Sequence, residues 1–419
     1  MELDRISDMP SDVRVKISSS LPIRDAVRTS VLSTNWRYIS AMLPHLVFYA
    51  HSISTLPQKF ANAVDHVLLS HIGPVYKFKL APKHICVRDF DRWILYVSRN
   101  SIKEFILEIL GQPYYKLPSS MFLCRDLTHL ELHKCLLQPP STFTGFKSLK
   151  TLKIVWVRLT GDALQNMIAH CPLLERLVVE DCDDFNQLNI NAPSLQVLRF
   201  IGGFKYINLL NTSNIVDVYI ELYQFACKSS NLLRFFAQLP NIHRLCMKAK
   251  FTKYLADSCL PLEKLPKPCS PLQFLSLRIG TDYDKDILLC ILRMCPALEE
   301  LEVFASNYKA IGGKVNSWVD EHHSCSNTQL GRVKIHCSFP EVDGALELIR
   351  FLLLSSPALE TMTLCTTALH PFVSYNLATK LLGLWRASLN LEMILNDNVL
   401  LFPKYNYGTS FYDDVMSVF

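Results

Sequence analysis

Apolar side chains recur along most of this chain in one short pattern, L-x-x-L-x-L, with Ile, Val, Phe or Met admitted at the three marked places. The pattern starts at Val75, Ile102, Leu127, Leu149, Leu174, Leu195, Ile215, Ile242, Leu272, Leu298, Leu330 and Leu359, with starts 20 to 32 residues apart. Successive side chains of a strand alternate. Each occurrence therefore predicts a short β-strand whose fourth and sixth positions turn into a core, while the third, fifth and seventh face the other way. Leu130 with Leu132, Leu177 with Val179 and Leu301 with Val303 are such inward pairs. Proline stands two residues before five of the starts, at Pro172, Pro193, Pro240, Pro296 and Pro357. There it ends a preceding helix and favours an extended entry. Helical spacing of apolar residues runs over Ala163–Cys171, Asp286–Cys295 and Ala345–Leu354, so the expected unit is helix, proline, strand.

Units of this period cannot bury an apolar row alone and stack so that each covers its neighbour. The fold class expected is α/β, a leucine-rich-repeat solenoid curved into a horseshoe whose lining carries the odd strand positions. The array is irregular. Its ninth position, which favours Asn or Cys, holds Cys135 and Cys182 but also Val157, Gly203 and Lys250. The lining runs from Glu131 to Glu302 and mixes charges. Within it Tyr219, Arg244, Phe274 and Arg278 fall in three successive repeats. They are the candidate target-binding patch, because aromatic and arginine side chains anchor protein interfaces.

The N-terminus follows another period. Pro10 can open a helix with Ser11 or Asp12 near its free N–H groups, and Val13, Ile17 and Leu21 then recur at four-residue spacing as one narrow stripe. Pro22 stops this helix and Asp25 is a candidate cap for the next. Val27, Val31 and Leu32 supply a second apolar face before Ser33, which can cap a turn carrying Trp36. Short helices spanning about 35 residues lack a core of their own and need the array or another protein to lean on. Ser40–Thr55 has no clear period, and Pro57 opens a helix with Phe60, Val64, Val67 and Leu68 on one face. The expected organisation is a helical module at 1–50, a connecting helical segment at 51–74, repeats over 75–325, a region continuing them over 326–400, and a tail at 401–419.

Composition narrows the function. A hydrophobic content of 49% in 419 residues excludes a mainly disordered chain. A net charge of +5 without a dense basic run gives no ground for nucleic acid or membrane. The N-terminus is acidic and polar, and the longest apolar runs, such as Ile287–Leu292, are far shorter than a bilayer span. Cytoplasm or nucleus is therefore expected. Fourteen scattered cysteines without a C-x-x-C pair read as reduced, buried small hydrophobes.

No residue pattern points to catalysis, a metal or a cofactor. Asp282, Asp284 and Asp286 have the opening spacing of a calcium loop, but Ile287 stands where glycine is needed and Arg293 where a bidentate glutamate belongs. His322, His323, Cys325, His336 and Cys337 fit no zinc spacing. Phosphate-binding glycine loops, G-x-S-x-G and H-E-x-x-H are all missing from the sequence. A repeat sheet also offers a shallow surface rather than a closed pocket, so no enzyme is expected.

At the N-terminus Met9-Pro10, the Val13/Val15/Ile17 helix, Leu21-Pro22, Asp25 to Ser33 and Trp36-Arg37-Tyr38 resemble a plant F-box. Segments Ser98–Glu104, Leu127–Leu132, Cys171–Leu177 and Asn189–Pro193 extend the resemblance to plant F-box/FBD/leucine-rich-repeat proteins, and Leu330–Ile335 with Glu347–Leu353 and Pro357–Met362 is similar to the FBD region. This resemblance implies docking on the Skp adaptor, and through it a cullin, of a ubiquitin ligase. It implies a share for Met9, Pro10, Val13, Ile17, Leu21, Val31, Leu32 and Trp36 in that interface or its supporting core. Family members usually carry leucine at the place of Arg14, a large apolar residue at Ser18, an aromatic at Ser20 and a basic pair at Thr34-Asn35. Leucine at Arg14 and Ser18 is expected to widen the apolar stripe. The function implied is a non-catalytic substrate receptor for an unknown target protein. The competing class is a non-ligase scaffold that keeps the repeats without adaptor affinity.

Overall fold

The computed structural model describes residues 6–83, 87–109, 114–183, 185–223, 232–249, 271–279, 282–305, 329–337, 342–366 and 378–396. The chain forms two compact units, Met1–Thr212 and Ser213–Phe419.

The first unit begins with helices α1 (Ser11–Ser19) and α2 (Ile23–Arg28), followed by single 3-10 turns at Thr29–Val31, Thr34–Trp36 and Ser40–Met42. Both α-helices start one residue after a proline. Pro10 and Pro22 are extended, with φ of −51° and −53° and ψ of 150° and 141°, an arrangement that their fixed φ favours. Pro10 thus precedes the helix instead of lying in its first turn. Asp25 lies inside the first turn of α2 rather than capping it, where a carboxylate still meets the positive end of the helix dipole. Ser33 makes no cap bond either. Its hydroxyl pairs with Ser7 at 3.1 Å.

Seven parallel strands follow in spatial order: β1 (His45–Tyr49), β2 (Lys77–Ala81), β3 (Glu104–Glu108), β5 (His129–His133), β7 (Thr151–Val155), β8 (Arg176–Glu180) and β10 (Val197–Gly202). Their register aligns the repeat positions. Phe48, Leu80, Leu107, Leu132, Ile154, Val179 and Phe200 form one continuous buried row of sixth positions. Strand β1 is a correction to the sequence reading, which finds no period in Ser40–Thr55. Leu43, Leu46 and Phe48 are all buried and occupy the first, fourth and sixth places of the same pattern. Two small parallel ladders flank the main strands, β4 (Tyr115–Lys116) with β6 (Cys135–Leu136) and β9 (Phe185–Asn191) with β11 (Phe204–Leu210).

Helices cover the inward face. In α4 (Pro57–Ser70) Phe60, Val64, Val67 and Leu68 are buried, as the sequence predicts. In α5 (Val87–Ser98) Phe90, Trp93, Ile94 and Val97 are buried, and the Trp93 indole N–H donates to Asp65 Oδ1 at 2.7 Å. In α6 (Gly161–Ala169) Thr160 Oγ1 accepts from Ala163 N at 3.2 Å and caps the helix.

A left-handed residue follows three successive strands: Lys134 (φ 54°), Trp156 (φ 51°) and Asp181 (φ 51°), each at the eighth place of its repeat. This conformation costs an L-residue about 1 kcal/mol, and it turns the chain so that Cys135 and Val157 at the ninth place are fully buried. The Cys135 thiol donates to His133 O at 3.3 Å.

The second unit holds β12 (Asp217–Leu222), β13 (Arg244–Ala249), β14 (Phe274–Ile279), β15 (Glu300–Ala305), β16 (Arg332–Cys337), β17 (Thr361–Thr366) and β18 (Glu392–Asn396), parallel and in chain order. Helices here include α7 (Leu232–Ala237), α8 (Asp282–Met294) and α9 (Val342–Ser355), with a further helical turn over 378–382. All twelve repeat starts read from the sequence precede observed strands. Strand β18 was hidden, because Asn390 stands where its repeat would begin with an apolar residue. Asp282, Asp284 and Asp286 lie in the opening turns of α8 rather than in a loop. His322, His323, Cys325 and the tail 401–419 lie outside the described residues.

Candidate docking surfaces

Two surfaces can be built from the residues singled out in the sequence. The first is the helical module. Val13, Ile17 and Leu21 lie on one face of α1 and at its end, and all three are exposed. Met9 and Pro10 are exposed beside them, and Val31 and Leu32 stand in solvent at 84% and 67%. Seven of the eight candidate adaptor residues are therefore surface groups. Val13, Ile17 and Leu21 thus leave an apolar stripe of α1 and its end in solvent.

The eighth, Trp36, is only 4% exposed and belongs to the support. Its indole N–H donates to Ser7 Oγ at 3.0 Å, and Asn35 Nδ2 donates to Ser7 O at 3.2 Å. Arg14 Nε donates to Met9 O at 2.9 Å, and Arg14 Nη1 donates to Asn35 O. Arg14 thus ties the N-terminal loop to the Thr34–Trp36 turn. Ser18 is completely buried, with no hydrogen-bond partner for its hydroxyl among the described residues. Ser18 does not lie on the outer stripe, so leucine there would not widen it, whereas Arg14 is half-buried with its guanidinium bonded to Met9 O and Asn35 O. Ser18 faces inward. Tyr38, which the sequence reading quoted only as part of Trp36-Arg37-Tyr38, is 62% exposed in the same module.

The second surface is the strand face opposite the helices. In the second unit Arg244 and Phe274 are cross-strand partners at the third position, and the guanidinium lies 4.0 Å from the ring centroid. Arg244 Nε also stands 3.9 Å from Asp217. Tyr219 is in the fifth-position row of β12, where its hydroxyl donates to Glu221 Oε2 at 2.8 Å, and Arg278 is in the seventh-position row of β14. The four candidates share one face and are all half-buried. Arg244 and Phe274 are joined in a stacked pair.

Beside them runs a polar chain that the sequence reading did not assemble. Lys248 Nζ donates to Ser276 Oγ at 2.8 Å, Ser276 Oγ donates to Glu302 Oε2 at 2.8 Å, and His336 Nε2 lies 3.0 Å from Glu302 Oε1. The rings of Phe304 and His336 stack at 4.3 Å, and Lys248 Nζ lies 3.3 Å from the Phe304 centroid. Burial disfavours the charged form of Glu302, but the His336 bond, the Lys248 charge and the Ser276 bond outweigh it and hold the carboxyl at about 2. Burial pulls Lys248 down to about 8 despite Glu302. These residues occupy the same odd positions, and only the strand register could have joined them.

The first unit repeats the theme. Lys79 meets Glu108 at 2.5 Å, Lys153 meets Glu131 at 2.9 Å, His133 meets Glu131 at 2.8 Å, and Arg199 meets Glu180 at 2.5 Å. Burial opposes ionisation of Glu131, yet His129, His133 and Lys153 together depress its pKa well below the usual range. Ligand atoms of Glu108, Glu131 and His133 come within 4.8 Å of one another. A divalent cation there would have to displace both ammonium groups, so the donor set fits an ion-pair ladder and not a metal. No helix among the described residues is long and apolar enough to cross a membrane.

Residues 6–48 match the F-box domain model, and residues 67–389 match the At1g61320/AtMIF1 LRR domain model. The F-box/FBD/LRR-repeat protein At1g13570 of Arabidopsis thaliana is 34% identical over 411 residues, covering 93% of this chain and 98% of that protein. The F-box/FBD/LRR-repeat protein At3g26920 of the same plant is 24% identical over 429 residues, with 93% and 96% covered. Its FBD-associated F-box protein At5g56370 is 28% identical over 337 residues, with 72% and 75% covered. With one model spanning most of the repeats and a relative aligned over nearly its whole length, this chain belongs to the F-box/FBD/leucine-rich-repeat protein family.

Proposed function

We propose that this protein is the substrate-recognition subunit of a Skp–cullin–F-box ubiquitin ligase. Met9, Pro10, Val13, Ile17, Leu21, Val31 and Leu32 form the contact with the Skp adaptor, and Trp36 holds the module that presents them. The open strand face, with Tyr219, Arg244, Phe274 and Arg278, takes the target protein. The subunit is non-catalytic: it raises the local concentration of target lysines at a bound conjugating enzyme, which is catalysis by proximity. The observation that carries this reading is the set of apolar residues left in solvent on the N-terminal helices, since such groups gain about 25 cal/mol for each Å² a partner covers.

Co-purification of the full chain with a plant Skp adaptor tests the docking. A complex that Leu32→Asp disrupts is expected; no complex with the wild type sinks the ligase role and leaves the scaffold alternative. Proximity labelling then tests the open face. A quadruple alanine variant at Tyr219, Arg244, Phe274 and Arg278, folded by circular dichroism, should lose target labels that the wild type gives. Identical labelling would move target recognition elsewhere, for instance to the FBD-like region.

A further inference from the structure

A cavity of about 240 Å³ opens between α2, β1 and α4 in the first unit. Its walls are apolar, with Val27 from α2 and Ala63 and Val67 from α4 above the fully buried Phe48 of β1, while the exposed Arg24, Arg28 and His66 line its mouth. Those two arginines stand one turn apart on a helix of six residues, a spacing at which like charges repel by a few tenths of a kcal/mol. Little nearby offsets that repulsion. Arg28 reaches Asp25 at 3.8 Å, and Arg24 makes one long bond to Ser52 O at 3.5 Å. Among the described residues no carboxylate comes closer to either guanidinium.

We infer that this cavity binds a small carboxylic acid, with an apolar body between Val27 and Ala63 and its carboxylate between Arg24 and Arg28. Size sets the body. A cavity of about 150 Å³ accepts benzene, so about 240 Å³ accepts a molecule of roughly ten heavy atoms. Charge sets the head group, because a guanidinium pairs with a carboxylate in two parallel hydrogen bonds. None of the cavity residues belongs to the proposed adaptor or target surface, so the site adds a ligand to a chain otherwise read as binding only proteins.

The probes are octanoate and 1-octanol, titrated calorimetrically into the full chain without adaptor. Octanoate should bind at one site per chain, with 1-octanol at least tenfold weaker. Arg24→Gln with Arg28→Gln should lower octanoate affinity about tenfold per arginine and leave 1-octanol unchanged. Ala63→Phe should fill the cavity and abolish both. The arginine changes are at exposed positions and decide the matter even where Ala63→Phe fails to fold. Absence of saturable octanoate binding, equal affinity for the two probes, or full affinity in the double variant each overturns the inference. Binding of the peptide acetyl-Gly-Asp-Leu-Asp-Gly-amide in place of octanoate also overturns it, since the cavity would then receive a partner protein's side chain.

Discussion

The indole N–H of Trp36 donates to the Ser7 hydroxyl at 3.0 Å, a bond spanning 29 residues inside the first few helical turns. It fixes the loop before α1 to the turn after α2. Trp36→Phe keeps most of the ring's packing and removes the donor. Unfolding of the first unit in urea should show a loss of about 1–2 kcal/mol. An unchanged midpoint would mean that the bond contributes nothing net.

Surface and support should separate by experiment. Val31→Asp and Leu32→Asp alter side chains at 84% and 67% exposure, so stability should stay within about 0.5 kcal/mol. Adaptor affinity should nevertheless fall at least about tenfold for each, as for interface anchors. Calorimetric melting and a binding titration on the same preparations give both quantities.

Ser18→Leu is the contrasting case. The site is fully buried, so three extra carbons overpack it, at about 1–3 kcal/mol. The variant should unfold earlier in urea and should not bind the adaptor more tightly. Tighter binding would place Ser18 on the outer face after all.

The Glu302 cluster predicts two pH effects of known sign. Glu302 has a folded pKa of about 2 against about 4.3 unfolded, so its contribution is complete above that unfolded value and is lost as pH falls toward 2. Glu302→Gln should flatten the acid limb of the stability profile by roughly 2–3 kcal/mol. Lys248 runs the other way. With a folded pKa near 8, below that of a free lysine, the wild type should gain stability relative to Lys248→Met as pH rises from 8 toward 10. Urea titrations across pH 2–10 read both, and parallel curves for Glu302→Gln and wild type would dissolve the cluster.

Much of this architecture is legible in the sequence because a repeat states its strand register many times over. The rest escaped for physical reasons. Pro44 follows Leu43 directly and interrupts what otherwise reads as a helical region, so Leu43, Leu46 and Phe48 passed as aperiodic. In the module, four-residue spacing of Val13, Ile17 and Leu21 shows an apolar stripe but cannot say whether it faces core or solvent. That was settled by Ser18, whose burial puts the small residue inward. Contacts such as Arg244 on Phe274 or Lys248 to Glu302 join residues 30 and 54 positions apart in number, and no local pattern carries them.

All of strand β1 but Tyr49 lies within residues 6–48, the segment that matches the F-box model, and the strand is hydrogen-bonded along its length to β2. The module is therefore stitched into the first repeats and does not hang from them on a tether. Phe48 of β1 packs on Phe78, and Phe78 on Phe105, three rings in edge or stacked contact at 5.8 and 6.2 Å. In mechanical terms the join is a bracket, because turning the helices away from β2 would break the β1–β2 ladder.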